Sequence, residues 1–88
     1  MEFRWIEWNI EHIREHGVSS EEAEEIILRA RPPFPEARGD GKWAVWGEGW
    51  GGRLVQVVFI AEEDDTAFVI HARSLTDREK HQYRRRRR

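Results

Sequence analysis

Two arginines and a histidine in the second half of the chain are the residues that most suggest chemistry. Arg53 begins one apolar run, Arg73 ends the next, and His71 lies two positions before Arg73. Guanidinium groups bind phosphate oxygens through paired hydrogen bonds, and an imidazole transfers protons near neutral pH. These residue types together predict a site that acts on a phosphodiester.

The two apolar runs are predicted to form a β-hairpin. Residues 53–60 and 66–73 are rich in β-branched and aromatic side chains, and the polar segment 61–65 between them suits a hairpin loop. Side chains alternate across each strand, so one set must face the core. The core set is predicted to be Leu54, Gln56, Val58 and Ile60 in the first strand and Phe68, Ile70 and Ala72 in the second.

Pairing these core sets predicts the register of the hairpin. Arg53 would then lie opposite Arg73, and Val55 opposite His71. Two arginines that face each other across a sheet repel, so they need a bound anion or nearby carboxylates. A phosphate site and a structural ion-pair cluster both meet that need, and both stay open. The carboxylates considered for the cluster are Glu48, Asp77 and Glu79.

Two helices are predicted before the strands. Apolar residues recur every three or four positions from Ile6 to Ile13, and Gly17 is a typical residue to follow a helix end. A second helix is predicted after Ser19, whose side chain would cap it while Glu22 reaches back to complete a capping box. The double proline that follows ends this helix.

The remaining elements complete an α+β domain. Residues 31–41 hold all three prolines and predict a surface loop, whereas residues 42–46 predict another strand. Thr76 and Glu79 form a second capping-box pattern, which opens a C-terminal helix. The predicted fold has two N-terminal helices, an antiparallel sheet of three to four strands and a C-terminal helix, in one domain over 1–83 with an arginine-rich tail at 84–88.

Composition limits the classes of function. The 88 residues allow one domain, the chain has no cysteine, and it lacks an apolar run long enough to cross a bilayer, so we expect a cytoplasmic protein without thiol chemistry. His12 and His16 are spaced to share a helix face, but spacing supplies no third metal ligand, and we expect neither a metal nor a cofactor. Residues 71–88 carry a net charge of +6, which suits RNA phosphates or an acidic partner.

Further RNA contacts are expected from one tryptophan and from the basic C-terminus. Trp50 lies between glycines and could stack on an unpaired base, although tryptophan in a small domain is more often buried. The terminal arginines would bind phosphates regardless of sequence, and a solubilising tail is the alternative. The expected contacts are Arg84, Arg85 and Arg86, within the run that continues to Arg88.

Several short motifs along the chain resemble one known family. They occur at the start, at the end of the first helix, in the second helix, in the central strand and near the C-terminus. The matching residues are Phe3, Arg4, Trp5, Glu7 and Asn9; His16, Gly17 and Val18; Glu22, Ala23 and Glu24; Gly52, Arg53, Leu54, Val57 and Val58; and Ala72, Arg73, Thr76, Glu79, Lys80 and Tyr83. With these motifs the chain resembles the BrnT family of bacterial toxins, of the RelE-like ribonuclease superfamily.

The resemblance implies a metal-independent endoribonuclease of a type II toxin–antitoxin system, which inhibits translation. Its partner would be a BrnA-like ribbon-helix-helix antitoxin, through which alone the complex would contact operator DNA. The resemblance implies that Arg53 and Arg73 hold the scissile phosphate. It further implies that His16, Glu79 and Tyr83 join in proton transfer and RNA positioning, a set to which the strand geometry adds His71. A catalytically weak relative that acts only as a binding partner is the alternative.

Six positions depart from the family pattern. The chain has Glu15 where the family usually has lysine before His-Gly, and His71 where it has serine before Ala-Arg. It has Gly41-Lys42 in place of an acidic-basic pair, and Ile6 and Trp8 in place of an aspartate and a lysine. These changes could alter the catalyst or the antitoxin-binding surface.

Overall fold

The computed structural model describes residues 1–86 and has an α+β fold with three helices and five strands. The helices are α1 (Glu7–Arg14), α2 (Ser20–Leu28) and α3 (Asp77–Arg86), and a short 3-10 turn spans Trp50–Gly52. The strands are β1 (Glu2–Phe3), β2 (Glu36–Ala37), β3 (Lys42–Glu48), β4 (Leu54–Glu62) and β5 (Thr66–Ser74). The α+β class predicted from the sequence is confirmed.

The sheet is larger than predicted and is not purely antiparallel. Its strand order is β1-β5-β4-β3-β2, with β1 parallel to β5 and the other neighbours antiparallel. The added strand β2 lies inside the segment predicted to be a loop, and it pairs only with the first half of β3. Both outer strands are two residues long, which is too short for a periodic pattern in the sequence to reveal.

The predicted register of the β4–β5 hairpin is wrong. Gln56, not Arg53, lies opposite Arg73, and Val58 lies opposite His71. An irregularity between Val58 and Phe59 shifts the pairing by one residue along the hairpin. Arg53 lies just before β4 and outside the β4–β5 ladder. The two arginines therefore do not face each other across the sheet.

The predicted core face of the hairpin is only partly right, because Leu54, Gln56 and Ala72 are buried but the other four predicted side chains are only partly buried. The fully buried side chains on β4 are Val55, Val57 and Phe59, whereas Val58 and Ile60 are only partly buried. On β5 the buried side chains include Ala67, Val69 and Ala72. Both faces of the hairpin are apolar, so alternation alone did not distinguish the face that packs most tightly.

The helices cover both faces and one edge of the sheet. α2 packs on β3, where a side chain at Gly47 would meet Ile26. The neighbouring Trp46 points to the opposite face, where it contacts Phe34 and lies beneath Arg86 of α3. α1 lies against β5. Across residues 1–86, no helix combines the length and apolar character that crossing a membrane requires.

Local sequence signals explain the helix starts. The Ser19 hydroxyl accepts a hydrogen bond from the Glu22 N–H at 3.1 Å, as predicted, but the Glu22 side chain does not close the capping box. At α3 the box is complete, because the Glu79 carboxylate accepts from the Thr76 N–H and the Thr76 hydroxyl accepts from the Glu79 N–H. Gly17 has a φ of +74°, which suits the left-handed position that follows a helix end.

Candidate functional site

Three histidines meet where α1 packs against β5. The ring centroids of His16 and His71 are 5.3 Å apart, and those of His12 and His71 are 5.7 Å apart. His12 lies in α1, His16 lies four positions further on in the turn that follows α1, and His71 comes from β5. His16 is exposed and the other two are partly buried. We call these three residues the histidine cluster.

Asn9 anchors α1 at the position that brings the cluster together. Its side-chain amide, which is fully buried, donates hydrogen bonds to the carbonyls of Val69 on β5, at 3.0 Å, and of Arg4, at 3.1 Å. Its carboxamide oxygen accepts from the Ile6 N–H at 2.7 Å, which caps the start of α1. One side chain therefore fixes the helix start and ties the helix to the strand that bears His71.

The surroundings of His71 favour the neutral imidazole. Partial burial is the main cause that lowers its pKa below the ordinary 6.5, and the charges of His16, His12 and Arg73 lower it further. His71 is therefore unprotonated at neutral pH, the state in which an imidazole can accept a proton.

Arg73 is held by a carboxylate of α3. Its Nη1 and Nη2 atoms donate to the two oxygens of Glu79 at 2.7 and 2.9 Å, and Nη1 also donates to the carbonyl of Ser74 at 3.1 Å. This pairing is the main cause that lowers the pKa of Glu79 to about 2. The ion pair of Arg73 with Glu79 that the sequence suggested is therefore present.

The ion pair leaves part of the guanidinium free. A guanidinium has five N–H donors. Among the described residues, three hydrogen bonds from Arg73 are formed, all through Nη1 and Nη2. The Nε–H and one Nη2–H remain, and these two donors point the same way along one side of the planar group. Arg73 can thus keep Glu79 and still bind an anion through two hydrogen bonds.

Arg53 has a different setting, beside the turn between α1 and α2. Its Nη2 donates to Glu22 at 2.9 Å and also to the carbonyl of Gly17. The Glu22 side chain is 2% exposed, and its other oxygen accepts from the Trp50 N–H at 2.6 Å. A side chain at Gly49 would collide with this carboxylate, which explains the glycine there. Arg53 therefore ties together the residue after His16, α2 and the start of β4.

The other predicted site residues lie outside the histidine cluster. Tyr83 is half-buried against Phe34, at the wall of a cavity of about 350 Å³ beside the end of β3. Trp50 is exposed, and its indole donates to Glu25 of α2 at 3.2 Å. Arg84, Arg85 and Arg86 extend α3 as exposed residues, with Arg86 bonded to Glu36 at 3.1 Å. The rest of the predicted tail, Arg87 and Arg88, lies outside the described residues.

Three residues of this region were not assigned to the site from the sequence. His12 was considered only as half of a metal pair, Asn9 only as part of a motif, and Trp8 only as a departure from a family pattern. The i, i+4, i+8 spacing of Trp8, His12 and His16 on one helix face was the signal that could have joined them. Asn9 gave no comparable signal, because its partner on β5 is 60 positions away.

Neither a metal-binding group among the described residues nor a match to another protein indicates what this region does. Within residues 1–86, no group of three or more histidine or carboxylate side chains has the arrangement needed to hold a metal ion. A search against models of protein families gives no match, and neither does a search of curated proteins.

Proposed function

We propose that this protein is a metal-independent endoribonuclease with a RelE-like fold, acting as the toxin of a type II toxin–antitoxin pair. Cleavage would proceed by attack of the ribose 2′-hydroxyl on the adjacent phosphate. That reaction needs a base for the hydroxyl proton, a positive group for the phosphate charge and an acid for the leaving oxygen. The residues around the histidine cluster can supply all three.

The observation that carries the proposal is the meeting of His16 and His71. They are 55 positions apart in the chain and have ring centroids 5.3 Å apart. Neutral His71 is suited to accept the 2′-hydroxyl proton because its pKa is lowered. Exposed His16 is positioned to return a proton to the leaving 5′-oxygen. Clustering brings no benefit to histidines with a purely structural role, because the charged forms of neighbouring histidines repel each other.

Arg73 is the proposed phosphate-binding residue. It is two positions from His71 on β5, and its charge is among those that lower the pKa of His71. Its two remaining donors match the geometry of two phosphate oxygens. Glu79 then acts by holding the guanidinium in place, and Arg53 acts by holding the turn that follows His16. Both are positioning residues in this mechanism.

The proposal includes a ribbon-helix-helix antitoxin, as the resemblance to BrnT proteins implies, and inhibition of translation through loss of RNA. Contact with operator DNA would be made by the antitoxin. Co-expression with a ribbon-helix-helix protein from a neighbouring gene should give one species in sedimentation at micromolar concentration. Two separate species would argue against that partner.

Cleavage of a long unstructured RNA in the presence of a chelator tests the enzymatic function. We expect products that end in a 2′,3′-cyclic phosphate, and a loss on the order of a hundredfold in rate for His71→Gln and for His16→Gln. His81→Gln is the matched control, because His81 is an exposed histidine of α3 outside the cluster. The rate of the wild type should fall with decreasing pH only below 6.5, since protonation of His71 removes the base.

A catalytically inactive binding partner is the second candidate. The observation that favours it is that Arg53 and Arg73 both already carry carboxylate partners. This candidate predicts that the wild type cleaves no RNA under any condition, and that neither histidine substitution has a measurable effect on the RNA. Equal activity in wild type and both cluster variants would instead place catalysis elsewhere.

A further inference from the structure

A row of rings leads away from the histidine cluster along α1 and β5. His12 contacts His71 at one end and stacks on Trp8 on its other side, with ring centroids 5.1 Å apart and planes within 9°. Trp8 is in turn stacked with Phe68 at 6.3 Å, and the Arg4 guanidinium lies 4.0 Å above the Phe68 ring. The row is continuous from an arginine to the proposed catalytic histidines.

Trp8 differs from three of the chain's other tryptophans, whose indole nitrogens are hydrogen-bonded. The indole nitrogens of Trp5, Trp46 and Trp50 donate to Glu24, Gln56 and Glu25 respectively. Among the described residues none accepts a hydrogen bond from the indole of Trp8, and 52% of its surface is exposed. More than half of the Trp8 surface therefore stays open to solvent beside the cluster, in spite of the contacts with His12 and Phe68.

We propose that Trp8 forms a stacking subsite for an unpaired base of the RNA substrate, so that the substrate is single-stranded at the site. This inference rests on the proposed function and assigns Trp8 a role in substrate binding. Base stacking on aromatic side chains tolerates any sequence, because every base has a π face. Only two ring contacts separate Trp8 from His71, so the stacked base belongs to a nucleotide close to the scissile phosphate.

The charges around the row determine where the RNA backbone runs. Glu7 and Glu11 on α1, and Glu15 just after it, are exposed and repel phosphates. On the strand side, Arg73 keeps two N–H donors that no described residue accepts. The phosphates therefore follow β5 while the bases lie towards the rings of α1. A duplex keeps its bases stacked inside, so it cannot use this subsite.

Binding of a mixed-sequence, single-stranded 2′-O-methyl oligonucleotide tests the subsite without requiring cleavage. We expect Trp8→Ala to weaken affinity roughly tenfold, as the loss of one stacked base should, and Trp8→Phe to retain most of it. Leu28→Ala is the control, because Leu28 is another exposed apolar residue, on α2. The corresponding duplex should bind weakly and equally to all variants. Thermal melting should be unchanged, since Trp8 is half-exposed.

The outcomes separate this inference from the proposed function. Equal oligonucleotide affinity of wild type and Trp8→Ala overturns the subsite, even where cleavage by the wild type upholds the ribonuclease. A tenfold loss supports the subsite, even where no RNA is cleaved and the ribonuclease proposal fails. Loss of antitoxin binding by Trp8→Ala with unchanged oligonucleotide affinity would make Trp8 a protein-binding residue and overturn the subsite.

Discussion

The two arginine–carboxylate pairs differ in how deeply the carboxylate is buried and in which elements of the fold they connect. Arg53 pairs with Glu22, whose side chain is only 2% exposed and also binds the backbone N–H of Trp50. Arg73 pairs with Glu79, and both of these side chains are partly exposed. The first pair joins three segments of the interior, whereas the second joins a strand to the start of a surface helix.

The difference shows which arginine is free to act on a ligand. A buried carboxylate needs its cation, because an unpaired charge in the interior is costly, so Arg53 cannot leave Glu22 without loss of stability. A partly exposed pair contributes less to stability than a buried one and exchanges more readily with water or anions. We therefore expect Arg53 to matter chiefly for folding and Arg73 chiefly for activity.

The largest effect is expected for Arg53→Ala. This change leaves the buried Glu22 carboxylate without its cation and the Gly17 carbonyl without its side-chain donor. We expect the free energy of unfolding to fall by about 3 kcal/mol, the lower end of the range for an orphaned buried charge, because Arg53 is itself partly exposed. Urea denaturation monitored by tryptophan fluorescence measures it.

A double variant shows whether the orphaned charge is the cause. Adding Glu22→Gln to Arg53→Ala removes that charge and should restore part of the lost stability. If Arg53→Ala instead melts like the wild type and loses RNA cleavage, Arg53 belongs to the phosphate site and the comparison of the two pairs fails.

The next largest effect is expected for Arg73→Ala, on rate instead of stability. Loss of a two-point contact with the phosphate should lower the cleavage rate on the order of a hundredfold or more. Arg73→Lys should recover little, because an ammonium cannot supply two parallel donors. Cleavage of a long RNA and thermal melting should be measured on the same preparations, and the melting temperature should move less than in Arg53→Ala.

Glu79→Gln is the matched control for Arg73. It weakens the ion pair but leaves the guanidinium, so it should retain far more activity than Arg73→Ala. Full activity in Arg73→Ala would exclude Arg73 from the site. A large drop in melting temperature with normal activity in the surviving folded protein would make this pair structural, like that of Arg53.

Local signals in the sequence predicted the helices better than they predicted the sheet. Ser19, Gly17 and the Thr76–Glu79 box act within a few residues of the chain, and all three act as predicted, except that Glu22 does not complete the box at Ser19. The register of the hairpin depends on which face is buried, and both faces are apolar because helices cover both sides. The pairing is already two residues from the expected one next to the loop, where Ile60 lies opposite Phe68, and the shift between Val58 and Phe59 adds one more.

The candidate site was predicted from composition more than from geometry. Arg73 and His71 were identified as chemically suited residues, but the predicted pairing of Arg73 with Arg53 is wrong. The contact of His16 with His71 depends on how α1 lies against β5, which Asn9 determines through a hydrogen bond to the distant Val69. Tertiary contacts of this kind leave no periodic pattern in a single sequence.

The smallest expected effect is on acid stability, and it tests the Arg73–Glu79 pair directly. The pKa of Glu79 is about 2 in the folded protein, below its ordinary value of 4.5, so folding is favoured by the ionised carboxylate. This contribution is complete above pH 4.5 and is lost as the pH falls towards 2, on the order of 2 kcal/mol in total.

Glu79→Gln should therefore be less stable than wild type at neutral pH and show a shallower loss of stability between pH 4.5 and 2. Asp77→Asn, which removes a fully exposed carboxylate from the same helix, should keep the wild-type slope. Identical slopes in wild type and Glu79→Gln would mean that the ion pair does not persist in solution, and Arg73 would then have four donors available for phosphate, the fifth being bound to the Ser74 carbonyl.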